Sequence, residues 1–136
     1  MSFTTADAAL LFMFAGHAIV TLESRKTGMH FTYRISAAPE GQPHFVSLLT
    51  GADNGSDYEF FGTIFNELDF RHGKRARIGR EAPGVRAFVW AWDRLSHGEI
   101  PEDLVIHHEG RCGKCGRPLT VPESIESGIG PVCAGR

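Results

Sequence analysis

The chain has 136 residues, of which 42% are hydrophobic and 22% charged, a profile of globular proteins that excludes a disordered tail. No apolar run approaches the roughly 18 residues needed to span a bilayer, so we expect no membrane segment and a cytoplasmic location. The net charge of −2 argues against a general nucleic-acid binder, but residues 67–95 carry seven basic and four acidic side chains. An electropositive face must therefore come mainly from the middle of the chain.

The N-terminal half is predicted to form one helix and four strands. The helix covers residues 4–15, begins with a capping-box pattern at Thr4 and Asp7, and ends at Gly16. Its apolar side chains cover nearly all sides, so we expect it to pack between other elements or to carry a dimer interface. Apolar alternation and turn residues predict strands over residues 18–25, 29–36, 44–50 and 58–65.

The second half is predicted to form a short basic strand, a helix and a last strand. The basic strand covers residues 74–79, the helix begins near Pro83 and ends at Gly98, and the last strand covers residues 104–106. This order predicts an α+β fold, in which residues 1–106 form a small antiparallel sheet or partly closed barrel with two helices. Residues 107–136 are predicted to form a zinc-ribbon-like module packed on that domain.

The cysteines predict a zinc site in the C-terminal module. Cys112 and Cys115 form a C-x2-C pair, and 17 residues separate Cys115 from Cys133, a spacing typical of zinc ribbons. An odd number of cysteines in one short segment favours metal binding over disulfides. Structural zinc takes four ligands, and His108 is the best fourth candidate. His107 is the alternative, because alternation along a strand places only one of the two on the correct face.

The residues around the cysteines also resemble a known family. Residues 108–125 read H-E-G-R-C-G-K-C-G-R-P-L-T-V-P-E-S-I, and residues 128–133 read G-I-G-P-V-C. This pattern closely resembles an uncharacterised zinc-binding domain common in phage and prophage proteins, the domain of unknown function family 6011. The resemblance implies metal binding through the three cysteines and a mobile-element origin. It implies no reaction, because the family has no assigned activity.

A second candidate site is a basic stretch in the middle of the chain. Five of the fourteen basic residues fall within ten positions: Arg71, Lys74, Arg75, Arg77 and Arg80. On the predicted strand, Arg75 and Arg77 would share one face and Lys74 would lie opposite. Such a stripe could follow the phosphates of a nucleic acid. The alternative is a solvated edge strand whose charges prevent aggregation.

These features predict a small, non-enzymatic phage or prophage accessory protein that binds nucleic acid and carries a structural Zn²⁺. The alternative is an adaptor or inhibitor that binds a host defence complex through the apolar first helix and Trp90; the sequence leaves the oligomeric state open. A zinc hydrolase would need an open metal position and a nearby general base. Glu109 is the only close carboxylate, and it lies in no H-E-x-x-H pattern, so we expect no catalysis.

Overall fold

A computed structural model of the chain describes residues 2–52, 56–66, 68–109, 111–115 and 128–129. Its elements, in chain order, are α1 (Ala6–Met13), β1 (His17–Ser24), β2 (His30–Ala37), β3 (His44–Leu49), β4 (Tyr58–Phe65), β5 (Asp69–His72), α2 (Pro83–Ser96) and β6 (Leu104–His108). The strands form one open antiparallel sheet in the order β5-β4-β3-β2-β1-β6. The predicted α+β class is confirmed, with an open sheet rather than a partly closed barrel.

Strict alternation gives the sheet one buried face and one open face. Val20, Tyr33 and Leu48 are aligned across three neighbouring strands and are buried. The next residue of each strand points to the other side of the sheet. Both helices contribute residues to the apolar core on the buried side. We call the opposite side, which includes Arg34 and Ser47, the open face.

The residue that caps the N-terminus of α1 is Thr5 and not the predicted Thr4. The hydroxyl of Thr5, not of Thr4, accepts a hydrogen bond from the backbone N–H of Ala8 at 3.2 Å. Because Thr5 is extended, it fits the position just before the helix. Phe12 is buried, whereas Leu11 is 73% exposed. The helix therefore packs on one side and faces solvent on the other.

The helix α2 lies close to the centre of the sheet because its first turn contains Gly84. A Cβ atom on Gly84 would lie 2.6 Å from Leu48 Cδ2, so a larger residue would displace this buried side chain. The buried hydroxyl of Tyr33 donates a hydrogen bond to the Gly84 carbonyl at 2.5 Å. The Phe88 ring contacts the rings of Tyr33 and Phe61 on the same side. The contacts of Gly84 and Phe88 together fix the start of α2 over β2 and β3.

The predicted basic strand over residues 74–79 is wrong, and the fifth strand is β5 instead. Pairing of β5 with β4 ends where His72 faces Gly62. The next backbone N–H, that of Gly73, donates to the Phe61 carbonyl at 2.8 Å, and the N–H of Ala76 donates to the Gly73 carbonyl at 3.1 Å. These bonds close a turn, so the basic residues lie in a loop that leaves the sheet.

The N-terminal residues partly cover the outer edge of β6. The backbone N–H of Phe3 donates to the Ile106 carbonyl at 2.9 Å, and Ser2 forms an isolated bridge with His107. Pairing of this kind reduces the tendency of an edge strand to associate with other chains. Within the described residues, neither helix is long and apolar enough to cross a membrane.

Replacing Tyr33 by Phe tests the contact between α2 and the sheet. Loss of the bond to Gly84 is expected to reduce the free energy of unfolding by about 1 kcal/mol at neutral pH. Burial raises the pKa of Tyr33, so the wild type loses stability as the pH rises above about 10, where the unfolded phenol ionises. The variant should lose less over that range. Denaturant unfolding of both proteins at neutral pH and at a pH above about 10 measures this. The same loss of stability in the wild type and the variant would contradict the prediction.

Candidate nucleic-acid interface and metal module

The basic loop, which we define as residues 73–80, is held on the core by its uncharged residues. Ala76 and Ile78 pack against the hydrophobic core. His72 Nε2 donates a hydrogen bond to the Ile78 carbonyl at 2.7 Å, because a carbonyl can only accept. The four basic side chains of the loop are exposed. The loop therefore presents its charges to solvent from an anchored backbone.

Two of these charges line a groove beside α2, which we call the α2 groove. Its volume is about 680 Å³, and its lining includes Lys74 and Arg80 from the loop and Arg86, Val89 and Trp90 from the helix. Among the described residues that line it, none is acidic. Lys74, Arg80 and Arg86 form no ion pair with any described side chain. The groove therefore concentrates positive charge that is free to bind an anion.

An aromatic surface borders these charges. Trp90 is 44% exposed, and the Arg94 guanidinium lies 5.8 Å from the centre of its ring. A positive groove combined with an exposed aromatic ring is the arrangement by which proteins bind single-stranded nucleic acid, with contacts to phosphates and stacking on bases. The α2 groove can provide both contacts.

The other two charges of the loop lie elsewhere. Arg75 and Arg77 line a shallower groove of about 370 Å³ together with Tyr58, Glu59 and Phe60. Arg75 and Arg77 thus line one groove and Lys74 lines another, although residues 74–79 do not form the predicted strand. The basic loop separates the two grooves.

Arg71 contributes less free charge than the loop residues. It lies on β5, where its guanidinium bonds the Asp69 carboxylate at 3.0 Å and lies 5.8 Å from the centre of the Phe65 ring. Although Arg71 also borders the α2 groove, an exposed ion pair with Asp69 partly neutralises it.

Sequence reasoning missed Arg86 and Trp90 as partners of the basic loop. The sequence suggests Trp90 only as a contact for a protein partner, and no local pattern gives Arg86 a role. The two are four residues apart, so they are neighbours on one side of the helix. That spacing was visible in the sequence, but the position of the loop beside this side of α2 was not.

The predicted zinc module begins at the end of β6, where the alternation of side chains along the strand places the two histidines on opposite faces. His108 points into the core and is 4% exposed, with its ring 5.4 Å from Phe3 and 5.5 Å from Phe12. His107 points to the open face, where Nε2 lies 2.8 Å from the Glu23 carboxylate. Of the two candidate ligands, His108 is the one on the same side as the core.

The C-x2-C pair lies at a turn. Residues 113–115 are a turn, and the Lys114 N–H donates to Cys112 Sγ at 3.4 Å. Cys112 is buried, whereas Cys115 is exposed. An N–H directed at sulfur stabilises a thiolate, which is the form that binds metal. This geometry fits one half of a zinc site.

The ring of Phe12 is where the module contacts the rest of the protein. A Cβ atom on Gly113 would lie 2.8 Å from Phe12 Cδ1, and one on Gly128 would overlap the same ring. The Gly113 N–H donates to the Gly128 carbonyl at 2.7 Å, and the Gly113 carbonyl accepts from the N–H of His17 at 2.6 Å. Phe12 thus contacts the His108 ring and the two glycines together.

The predicted zinc ligands are only partly among the described residues. Cys133 lies outside the described residues, and within them no three metal-binding side chains form a group. His108 and Cys112 are both buried near Phe12. Imidazole nitrogen and cysteine sulfur are the ligands that zinc prefers, so the donor chemistry fits this metal.

The comparison with known families concerns this module. Residues 103–136 match a family of unknown function, DUF6011. No curated protein and no solved structure matches the chain. The DUF6011 segment includes β6, which pairs with β1 in the sheet, so the segment is joined to the rest of the protein by backbone hydrogen bonds. Because the family has no assigned function, the match adds no activity.

The two histidines of the DUF6011 segment provide a matched pair of variants. In the presence of a chelator, His108→Ala removes a buried ring and should lower the free energy of unfolding by about 2 kcal/mol or more. His107→Ala removes a partly exposed hydrogen bond to the Glu23 carboxylate and should cost at most about 1 kcal/mol. Denaturant unfolding of both proteins checks this. Equal losses would mean that β6 does not direct His108 into the core.

Proposed function

We propose that this protein is a small, non-enzymatic phage or prophage accessory protein that binds nucleic acid in the host cytoplasm. Binding uses the α2 groove and the basic loop, and a Zn²⁺ ion in the C-terminal module has a structural role. The observation that carries the proposal is the α2 groove, in which Lys74, Arg80 and Arg86 surround an exposed Trp90 and no described lining residue is acidic.

The charge distribution supports this proposal despite the net charge of −2. Counterion release depends on local contacts between cations and phosphates, not on the charge of the whole protein. In the α2 groove three cations are free of described acidic partners. The acidic remainder of the chain would oppose nonspecific binding over the rest of the surface.

Zinc would link Cys112, Cys115, Cys133 and His108 within the module. Three thiolates and one Zn²⁺ carry a charge of roughly −1, which the nearby Arg111 and Lys114 can balance. With four protein ligands the ion keeps no open position for substrate, so its contribution is to stabilise the fold of the module. This role needs no catalytic residue.

The metal proposal predicts the zinc content of a set of variants. Wild-type protein purified without chelator should contain about one Zn²⁺ per chain. Serine in place of Cys112, Cys115 or Cys133, or Gln in place of His108, should lower the zinc content and the metal affinity. His107→Gln is the matched control and should keep the wild-type content. Elemental analysis that finds no zinc in the wild type, or equal loss in both histidine variants, would reject this ligand set.

The nucleic-acid proposal predicts the effect of charge reversal in the α2 groove. The double variant Lys74→Glu with Arg80→Glu should bind oligonucleotides more weakly at low salt, because two phosphate contacts are lost. The slope of log K against log salt should fall by about 2. Fluorescence anisotropy of labelled single-stranded and duplex oligonucleotides, measured over a salt series, gives both quantities.

Lys26→Glu is the matched control for this experiment. Lys26 is exposed in the turn between β1 and β2 and does not line the α2 groove. The control reverses one charge instead of two, outside the α2 groove, and should leave the salt slope nearly unchanged. Quenching of Trp90 fluorescence by the oligonucleotide should disappear in Trp90→Phe. Equal binding by the control and the double variant would show that the α2 groove does not bind nucleic acid.

An adaptor that binds a host protein complex is the second candidate function. The observation that favours it is Leu11, which is 73% exposed on α1. One exposed leucine is common on soluble proteins, so this support is weaker than that for the α2 groove. A partner captured from host lysate that remains after nuclease treatment, and that Leu11→Ser releases, would favour the adaptor.

A further inference from the structure

The open face of the sheet carries large aromatic side chains that the protein itself does not bury. Phe45, Phe60 and Phe65 are 39%, 42% and 39% exposed. Phe45 and Phe60 lie on the neighbouring strands β3 and β4, with ring centres 6.3 Å apart. Exposed phenylalanines that lie together on a sheet form a surface on which flat ligands can stack.

Polar and basic groups surround these rings. Cross-strand pairing places Phe60 beside Ser47 and Ser47 beside Arg34, so the three form one row across the open face. The Arg34 guanidinium lies 4.6 Å from the centre of the Tyr58 ring on the same face. The face therefore combines aromatic rings, a hydroxyl group and a guanidinium, the groups that contact bases and phosphates.

The charges around this surface favour an anionic ligand. Arg34 lies on the open face, and Arg75 and Arg77 line the groove that contains Tyr58 and Phe60. The carboxylates nearby are Glu59, which lines that groove, and Glu109. Burial raises the pKa of Tyr58, as does the Glu109 carboxylate, while Arg34 lowers it. The guanidinium groups of Arg34, Arg75 and Arg77 therefore favour a polyanion as the ligand of this surface.

We infer that the open face is a stacking surface for the unpaired bases of a single-stranded nucleic acid, with Phe45 and Phe60 as its stacking residues. This inference rests on the proposed function and names its ligand as a single strand. The strand passes from the α2 groove, where Lys74 and Arg80 bind phosphates, around the basic loop to Arg75 and Arg77. From there its bases reach Phe60 and Phe45.

A single strand fits this surface better than a duplex or a second copy of the chain. Bases in a duplex already stack on each other, so they cannot stack on Phe45 or Phe60 without being unpaired. A second copy packed on the open face would bring Arg34, Arg75 and Arg77 close to the same cations of its partner. Such contacts between like charges oppose association.

The test compares leucine variants of the two rings in the full-length protein. Phe45→Leu and Phe60→Leu keep an apolar side chain between β3 and β4 but remove the aromatic face. Each should bind oligothymidine roughly tenfold more weakly than the wild type, with little change for a duplex. The slope of log K against log salt should remain that of the wild type, because no charge is lost.

Leu11→Ala is the matched control, since it removes an exposed apolar side chain from the helix α1 and should bind as the wild type does. If leucine still contacts the bases, alanine at position 45 or 60 is the second variant, because it removes this contact. Wild-type affinity in the leucine and alanine variants, together with weak binding by Lys74→Glu with Arg80→Glu, would overturn this inference and leave the proposed function intact. A wild-type protein that binds no oligonucleotide would overturn both.

Sedimentation velocity tests whether a second copy of the chain, instead of a nucleic acid, covers the open face. We expect the same mass for the wild type and the phenylalanine variants over a range of concentrations. A wild-type dimer that Phe45→Leu or Phe60→Leu converts to monomer would show that a second copy covers the open face, and it would overturn the inference.

Discussion

The strand register that aligns Val20, Tyr33 and Leu48 on one face of the sheet determines where the remaining parts of the protein lie. A shift of one residue in any of these strands would turn its buried side chains to solvent. With this register fixed, the core forms on one side, and Gly84 lets α2 approach β3 closely. The open face then keeps side chains such as Phe60 that the core does not use.

The same register explains why the residues of one short loop line two different surfaces. β5 is one of the two edge strands, and it ends at His72, so the chain leaves the sheet at its border. Residues anchored at this border can reach either side. Ala76 and Ile78 pack against the core, while Lys74 borders the α2 groove and Arg75 borders the aromatic residues of β4. Charge at an edge also protects the strand from pairing with another chain.

The sequence predicted local structure better than the relations between distant segments. Apolar alternation was sufficient for β1 to β4, and helical spacing was sufficient for α2, because each pattern is set by neighbouring residues. Alternation gave a wrong prediction at residues 74–79. Charged and apolar residues alternate there as in a strand, but the turn at Gly73 directs the chain away from β4. The partnership of Arg86 and Trp90 with the loop depends on tertiary packing, which no local pattern contains. Cys133 lies outside the described residues, so the predicted ligand set stays a prediction.

The metal module and the sheet are not independent parts, because both use β6 and Phe12. Residues of β6 pair with β1, and the last of them, His108, packs against the Phe12 ring. The two glycines at positions 113 and 128 approach the same ring. A change that moves α1 would therefore also shift Gly113 and its neighbour Cys112. In return, a metal that orders the module would stabilise α1. This reciprocity follows from shared packing, and through it the proposed Zn²⁺ would influence the whole domain without any reaction at the metal.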